Sequence, residues 1–233
     1  MTTRISNPPA ARSRRAHRRG FDLAAARADL ARADKPLARW MARIGPIPTR
    51  WREPFEPVDA LARAILYQQL SGKAAATIVA RVEAILPRGP HFHPDDLRAL
   101  PPEALRACGV SGNKVLALKD LAAKAIDGVV PHVQELRWLD NDTLIERLTA
   151  VRGIGRWTVE MMLMFRLGRP DVLPVDDLGI RKGAQVLRRL AEPPKPKELL
   201  VLGERWAPWR TLASFYLWRI ADAGAKPVAR SQE

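Results

Sequence analysis

Cysteine is almost absent: Cys108 is the one thiol in 233 residues. A single thiol excludes an internal disulfide and any four-cysteine zinc or iron–sulfur site, and it suits a reducing cytosol. No apolar run approaches the ~20 residues that cross a bilayer. The start, MTTRISNPPAARSRRAHRRG, carries arginines but no apolar centre, so it does not read as a secretory signal. These absences lead to the expectation of a cytoplasmic protein without membrane contact. No stretch keeps a period-two alternation for long, and neither a heptad nor an internal repeat is present. Acid is scarce as well: Lys+Arg 39 against Asp+Glu 25 gives a net charge of +14. The first twenty residues hold six arginines (Arg4, Arg12, Arg14, Arg15, Arg18, Arg19) and no acid. That balance points to a polyanion partner, bound through counterion release. A flexible, soluble tail on a mildly basic body is the plainer alternative.

What remains is helical periodicity. Phe21 to Ile44 reads as two short helices broken at Lys35-Pro36, and Gly45 to Pro57 as a proline-rich connector. In VDALARAILYQQLSGKAAATIVARVEAIL two apolar stripes flank Ser71-Gly72, a helix–turn–helix pair. PRGPHFHPDD reads as a loop. Helices are expected over Pro101–Cys108, Lys114–Ile126, Glu135–Leu139, Thr143–Val151, Asp176–Leu190 and Glu198–Ala223. The fold class is all-α. The seven tryptophans are expected mostly as core anchors. His91 and His93 invite a metal reading, but with no cysteine nearby an exposed loop pair is the expectation, and no metal site is assigned.

Two stretches carry chemistry. In VRGIGRWTVE, Gly153 and Gly155 interrupt helical spacing, and each costs roughly 1 kcal/mol against alanine inside a helix. They mark a turn between two short helices. Outward amides at Gly153 and Gly155, with the next helix N-terminus behind them and Arg152 and Arg156 beside them, would cradle a phosphate oxygen. A lone Gly-x-Gly is weak evidence, since helix C-caps use glycine constantly. Downstream, LPVDDLGIRKG places Asp176 and Asp177 where a helix begins. One aspartate suffices as a cap, which leaves the other free.

Taken together, LTAVRGIGRWTVEMMLMFRLGRPDVLPVDDLGIRKG resembles the helix–hairpin–helix plus Gly/Pro…Asp signature of the HhH-GPD base-excision DNA glycosylases, and most of all their 3-methyladenine DNA glycosylase II branch. The likeness extends through FEPVDALARAILYQQLSGKAAATI, LRACGVSGNKVLALKDLA and ERWAPWRTLASFYLWR, roughly Phe21 to Ala223. The resemblance implies two helical subdomains flanking a DNA-binding cleft: 57–168 as a bundle carrying the hairpin, and 21–56 with 169–233 as the other, after a disordered basic tail over 1–20. It implies a monomer that acts on double-stranded DNA with a flipped damaged base, associated with a bacterial-type nucleoid. The second aspartate of the pair is the catalytic one in that branch, so Asp177 takes the role and Asp176 is left as the cap. YQQLS corresponds to the wedge that enters the duplex, with Gln69 as the wedge residue and Leu70 as the alternative. Trp157 and Trp218 are the candidates for an electron-rich wall of the base pocket, with Tyr67 and Tyr216 weaker ones; each could equally belong to the core.

Two departures narrow the activity. Strand-cleaving relatives carry a lysine just after the hairpin; here Trp157 follows Gly-Ile-Gly-Arg, and an indole forms no Schiff base. Relatives that remove oxidised or mismatched bases often hold a four-cysteine cluster, which Cys108 alone cannot build. The expectation is a monofunctional enzyme that hydrolyses the N-glycosidic bond of 3-methyladenine and 7-methylguanine in base excision repair. No cofactor is implied, except that the hairpin can recruit a monovalent cation between its carbonyls and a phosphate. The rivals are a non-catalytic helix–hairpin–helix DNA-binding module and a glycosylase for oxidised or deaminated bases.

Overall fold

A computed structural model describes residues 16–225, with no side-chain description at residue 225. The all-α expectation holds among the described residues, which form α-helices, two 3-10 turns and no strand. None of these helices is long and apolar enough to cross a membrane.

Capping residues set the first boundaries. Asp22 accepts the amides of Ala24 and Ala25 to start α1 (Leu23–Ala33), and Asp34 accepts the Leu37 amide to start α2 (Lys35–Ile44). Asp34 is only 2% exposed, and its other oxygen takes the Trp206 indole N–H at 2.7 Å and the Arg188 guanidinium. One residue thus breaks the helix and bolts the break to the C-terminal part of the chain. Next come α3 (Pro57–Tyr67) and α4 (Gly72–Glu83), the latter capped by Ser71. The presumed loop at 87–96 ends inside an unexpected short helix, α5 (Pro94–Ala99), opened by Pro94 with Asp95 and Asp96 in its first turn. Then follow α6 (Pro102–Ala107), α7 (Gly112–Ile126), α8 (Asn141–Thr149) and α9 (Arg156–Phe165). Glu135–Leu139 is no α-helix but a single 3-10 turn at Leu136–Trp138.

The chain closes with α10 (Leu178–Arg188), α11 (Pro196–Gly203) and α12 (Arg210–Ala225). The single helix expected over Glu198–Ala223 is therefore two helices and a 3-10 turn, Glu204–Trp206. Gly203 ends the first, and Pro208, which has no amide to donate, separates the rest. Helices α1, α2, α10, α11 and α12 pack on one another, as do α3 to α7 and the pair α8–α9. Their apolar faces merge into one continuous core. At the crossing of α10 on α12 a Cβ at Gly183 would lie 2.0 Å from the Leu217 carbonyl oxygen, so only glycine lets these helices approach so far.

Residues 1–15, with four of the six tail arginines, lie outside the described residues. Arg19, counted with the tail in the sequence, donates to the carbonyls of Arg166 and Glu53, and the Gly20 amide bonds to the Leu167 carbonyl at 3.0 Å. Burial, then repulsion from Arg166, lowers the Arg19 pKa. Residues 19 and 20 are part of the fold.

Candidate active site

The hairpin joins α8 to α9. Gly153 has φ +78, the left-handed region that glycine tolerates without strain, and Gly155 caps α9. The Ile154 amide is spent on the Val151 carbonyl at 3.1 Å and the Arg152 amide on Asp120 Oδ2 at 2.7 Å. Among the described residues, the amides of Gly153 and Gly155 have no acceptor, nor do those of Arg156 and Trp157 in the first turn of α9. Four free N–H groups at a helix N-terminus form an anion cradle. Burial alone would raise the Asp120 carboxyl, but the Arg152 amide and Lys124 outweigh it and hold the pKa low. Arg152 is exposed; Arg156 is exposed too, and its Nε lies 3.0 Å from Glu160 Oε1. Burial pushes the Glu160 carboxyl above its ordinary pKa against that bond, and Asp176 and Asp177 add repulsion.

Asp177 opens α10, and the structure corrects the division of labour between the two aspartates. The cap is Asp177, whose Oδ1 accepts the Ile180 amide at 2.8 Å; Asp176 is exposed. Asp177 has further capacity, because a carboxylate offers about four acceptor positions. Oδ1 also takes the Trp218 indole N–H at 2.9 Å, and Oδ2 takes the Trp157 indole N–H at 2.8 Å. Indoles from α9 and α12 hold the two oxygens from either side. The carboxylate is partly exposed, fixed in direction and left with acceptor capacity on Oδ2 alone.

Beside this clamp lies a cavity of about 570 Å³ between α3 and α9, with Tyr67, Gln69, Trp157, Met161 and Phe165 in its lining. Ala60 and Ala64 leave room on the α3 side. Its Arg63 is already engaged by Asp59 and Glu83. Trp218 does not line this space. It lines a second cavity of about 540 Å³, reached past Phe165 and Arg166, which border both. Phe165 stacks on Trp218 with centroids 5.7 Å apart and is 47% exposed, so this apolar residue of the α9 stripe belongs to the site and not to the core. Its helical spacing with Val159, Met162 and Leu163 hid that. Tyr216 is buried with its hydroxyl on the Gly45 carbonyl, a core residue.

Five of the seven tryptophans belong to the core or pack against it, as expected: Trp51 and Trp206 are buried, and Trp40, Trp209 and Trp218 are partly buried against it, whereas Trp138 and Trp157 are exposed. The YQQLS turn projects next to the cavity. Gln69 adopts φ +56, rare for a residue with a Cβ, and lines the cavity; Leu70 is 40% exposed and does not.

Residues 62–208 match the model of the HhH-GPD superfamily base excision DNA repair proteins. The chain is 44% identical over 183 residues to DNA-3-methyladenine glycosylase 1 of Schizosaccharomyces pombe, covering 78% of this chain and 80% of that protein. The structure superposes on the 3-methyladenine DNA glycosylase of that yeast in complex with abasic DNA, with TM-score 0.74 and 41% identity over 84% of this chain and 95% of the other. A DNA-3-methyladenine glycosidase from Bacillus halodurans gives TM-score 0.76 at 37% identity, over 84% and 89% of the two chains.

Proposed function

The chain belongs to the HhH-GPD superfamily of base excision DNA repair proteins, and from that premise we propose that it hydrolyses the N-glycosidic bond of alkylated bases in double-stranded DNA without cutting the strand. The observation that carries this reading is the Asp177 carboxylate, clamped by two indoles, one of which, Trp157, lines an aromatic cavity and sits in the helix turn that carries the free amides. The free amides of the hairpin grip a backbone phosphate. The Gln69 turn fills the space the base leaves, and the damaged base enters the cavity beside Trp157 and Tyr67. Extrusion costs a few kcal/mol, least for bases whose pairing is already damaged. A positively charged base such as 7-methylguanine or 3-methyladenine is attracted to aromatic faces and is already a good leaving group. What the protein must supply is negative charge where the sugar becomes oxocarbenium-like. Asp177 supplies it, and the acceptor position left on Oδ2 orients the attacking water.

The absence of strand cleavage rests on the nucleophile. No lysine lines the cavity among the described residues. Lys114 and Lys119, whose pKa values burial lowers, have their ammonium groups on backbone carbonyls. The same reading assigns a monovalent cation to the hairpin. The Arg152 and Ile154 carbonyls accept no hydrogen bond among the described residues, and carbonyl oxygens of this kind suit such an ion.

Incubation with methylated genomic DNA, followed by chromatography, is expected to show release of 3-methyladenine and 7-methylguanine. Borohydride added during turnover is expected to trap no protein–DNA adduct. Binding without base release would make the protein a DNA-binding module, and a strong trapped band would overturn the hydrolytic, non-cutting assignment.

A further inference from the structure

Three residues of α7, Lys114, Ala117 and Asp120, follow one another at a spacing of three and share a face of the helix. At one end, Lys114 Nζ donates to the carbonyls of Leu66 at 2.7 Å and Gln68 at 2.8 Å, where α3 ends. Helix-terminal carbonyls lack partners and carry partial negative charge, so an ammonium satisfies both needs. At the other end, Asp120 holds the Arg152 amide of the hairpin. Between them, a Cβ at Gly153 would come within 3.4 Å of Ala117 Cβ. A direct link closes the circuit: Gln68 Nε2 donates to the Gly153 carbonyl at 2.8 Å. Gln69 follows immediately in its left-handed conformation, which persists only where the surroundings over-determine it.

We propose that α7 is a strut holding the wedge turn and the phosphate-gripping hairpin in one register, with Lys114 as the positioning residue at the wedge end and Gln68 as the cross-tie. The proposal rests on the glycosylase reading above and adds a division of labour. The hairpin holds the backbone of the nucleotide while the turn pushes its base out, so both must act at one fixed separation; misplacement by about 1 Å can cost ~10²-fold in rate. Lys114 does not line the cavity, so it acts on extrusion and not on bond cleavage.

Lys114→Met keeps the apolar stem and removes the donors. Single-turnover release of 7-methylguanine is measured from a fully paired duplex and from the same duplex with an abasic site opposite the lesion, where extrusion is easier. Lys114→Met is expected to slow release about tenfold from the paired duplex and no more than about threefold from the unpaired one. Lys114→Arg, which again presents donors to the two carbonyls, is expected to recover most of the loss. Gln68→Leu, at a side chain that also borders the cavity, is expected to repeat the pattern. Asp120→Ala, which frees the hairpin end of the strut away from the cavity, is expected to repeat it too and decides should Lys114→Met melt below the assay temperature. Equal losses on both substrates, or no loss on either, would overturn the proposal. Absence of release by the unaltered protein would overturn the glycosylase reading instead.

Discussion

Asp177→Asn is expected to lower single-turnover release of 7-methylguanine from a defined duplex by about 10²–10³-fold, the usual weight of one electrostatic contact made in the transition state (~3–4 kcal/mol). The fold should survive. The asparagine oxygen can still accept the Ile180 amide and the Trp218 indole, so α10 keeps its cap. What disappears is the charge facing the sugar. In addition, the new amide nitrogen meets the Trp157 N–H donor to donor, but Trp157 is 49% exposed and can turn to water. DNA affinity should hold or rise, since one repulsion toward phosphate is gone. Asp176→Asn is the control: the side chain is exposed and caps nothing, so activity and stability should change by no more than about twofold and ~0.5 kcal/mol. Loss of activity in Asp176→Asn with retention in Asp177→Asn would shift the chemistry by one residue. Full activity in both would leave Asp177 as a cap alone.

The three hydrogen bonds gathered on Asp177 show where the sequence is legible and where it is not. Two adjacent aspartates before a helix suggest one for capping and one for chemistry, and a resemblance that gives the chemistry to Asp177 leaves the cap to Asp176. Counting residues in this way overlooks that a single carboxylate accepts several hydrogen bonds, and which aspartate meets the Ile180 amide is set by helix register. The hairpin was legible because two glycines interrupt a 3.6-residue period on both sides. Phe165 was hidden by obeying that period. The long C-terminal helix failed at Gly203 and Pro208, signals present in the sequence and outweighed by its apolar spacing. The strut of α7 could not be read at all: Lys114 meets Leu66 across 48 positions, and only the folded chain brings them together. Local pattern thus reveals the elements and the catalytic candidates, whereas the second layer that aims them is tertiary.

That second layer makes its sharpest prediction at Gly183. An alanine there would bring Cβ to 2.0 Å from the Leu217 carbonyl oxygen and 2.5 Å from its carbon, against the backbone of α12 and not a movable side-chain end. The helices must separate. Overpacking of this kind costs about 3 kcal/mol, which in a domain of this size lowers the melting temperature by roughly 6–12 °C. Leu217 immediately precedes Trp218, whose indole N–H reaches Asp177 Oδ1 from α12 while the aspartate sits at the start of α10. Parting the two helices therefore stretches one arm of the clamp. Gly183→Ala should slow base release about 10–10²-fold even at a temperature where it remains folded, since small misplacements of a catalytic group are costly. Gly112→Ala, also a helical glycine but with open space around its would-be Cβ, should leave release unchanged and stability equal or slightly higher. Thermal melts and single-turnover assays on both variants give the result. If Gly183→Ala melts and turns over like the unaltered protein, the α10–α12 crossing does not set the distance between Trp218 and Asp177, and the clamp owes its geometry to Trp157 alone.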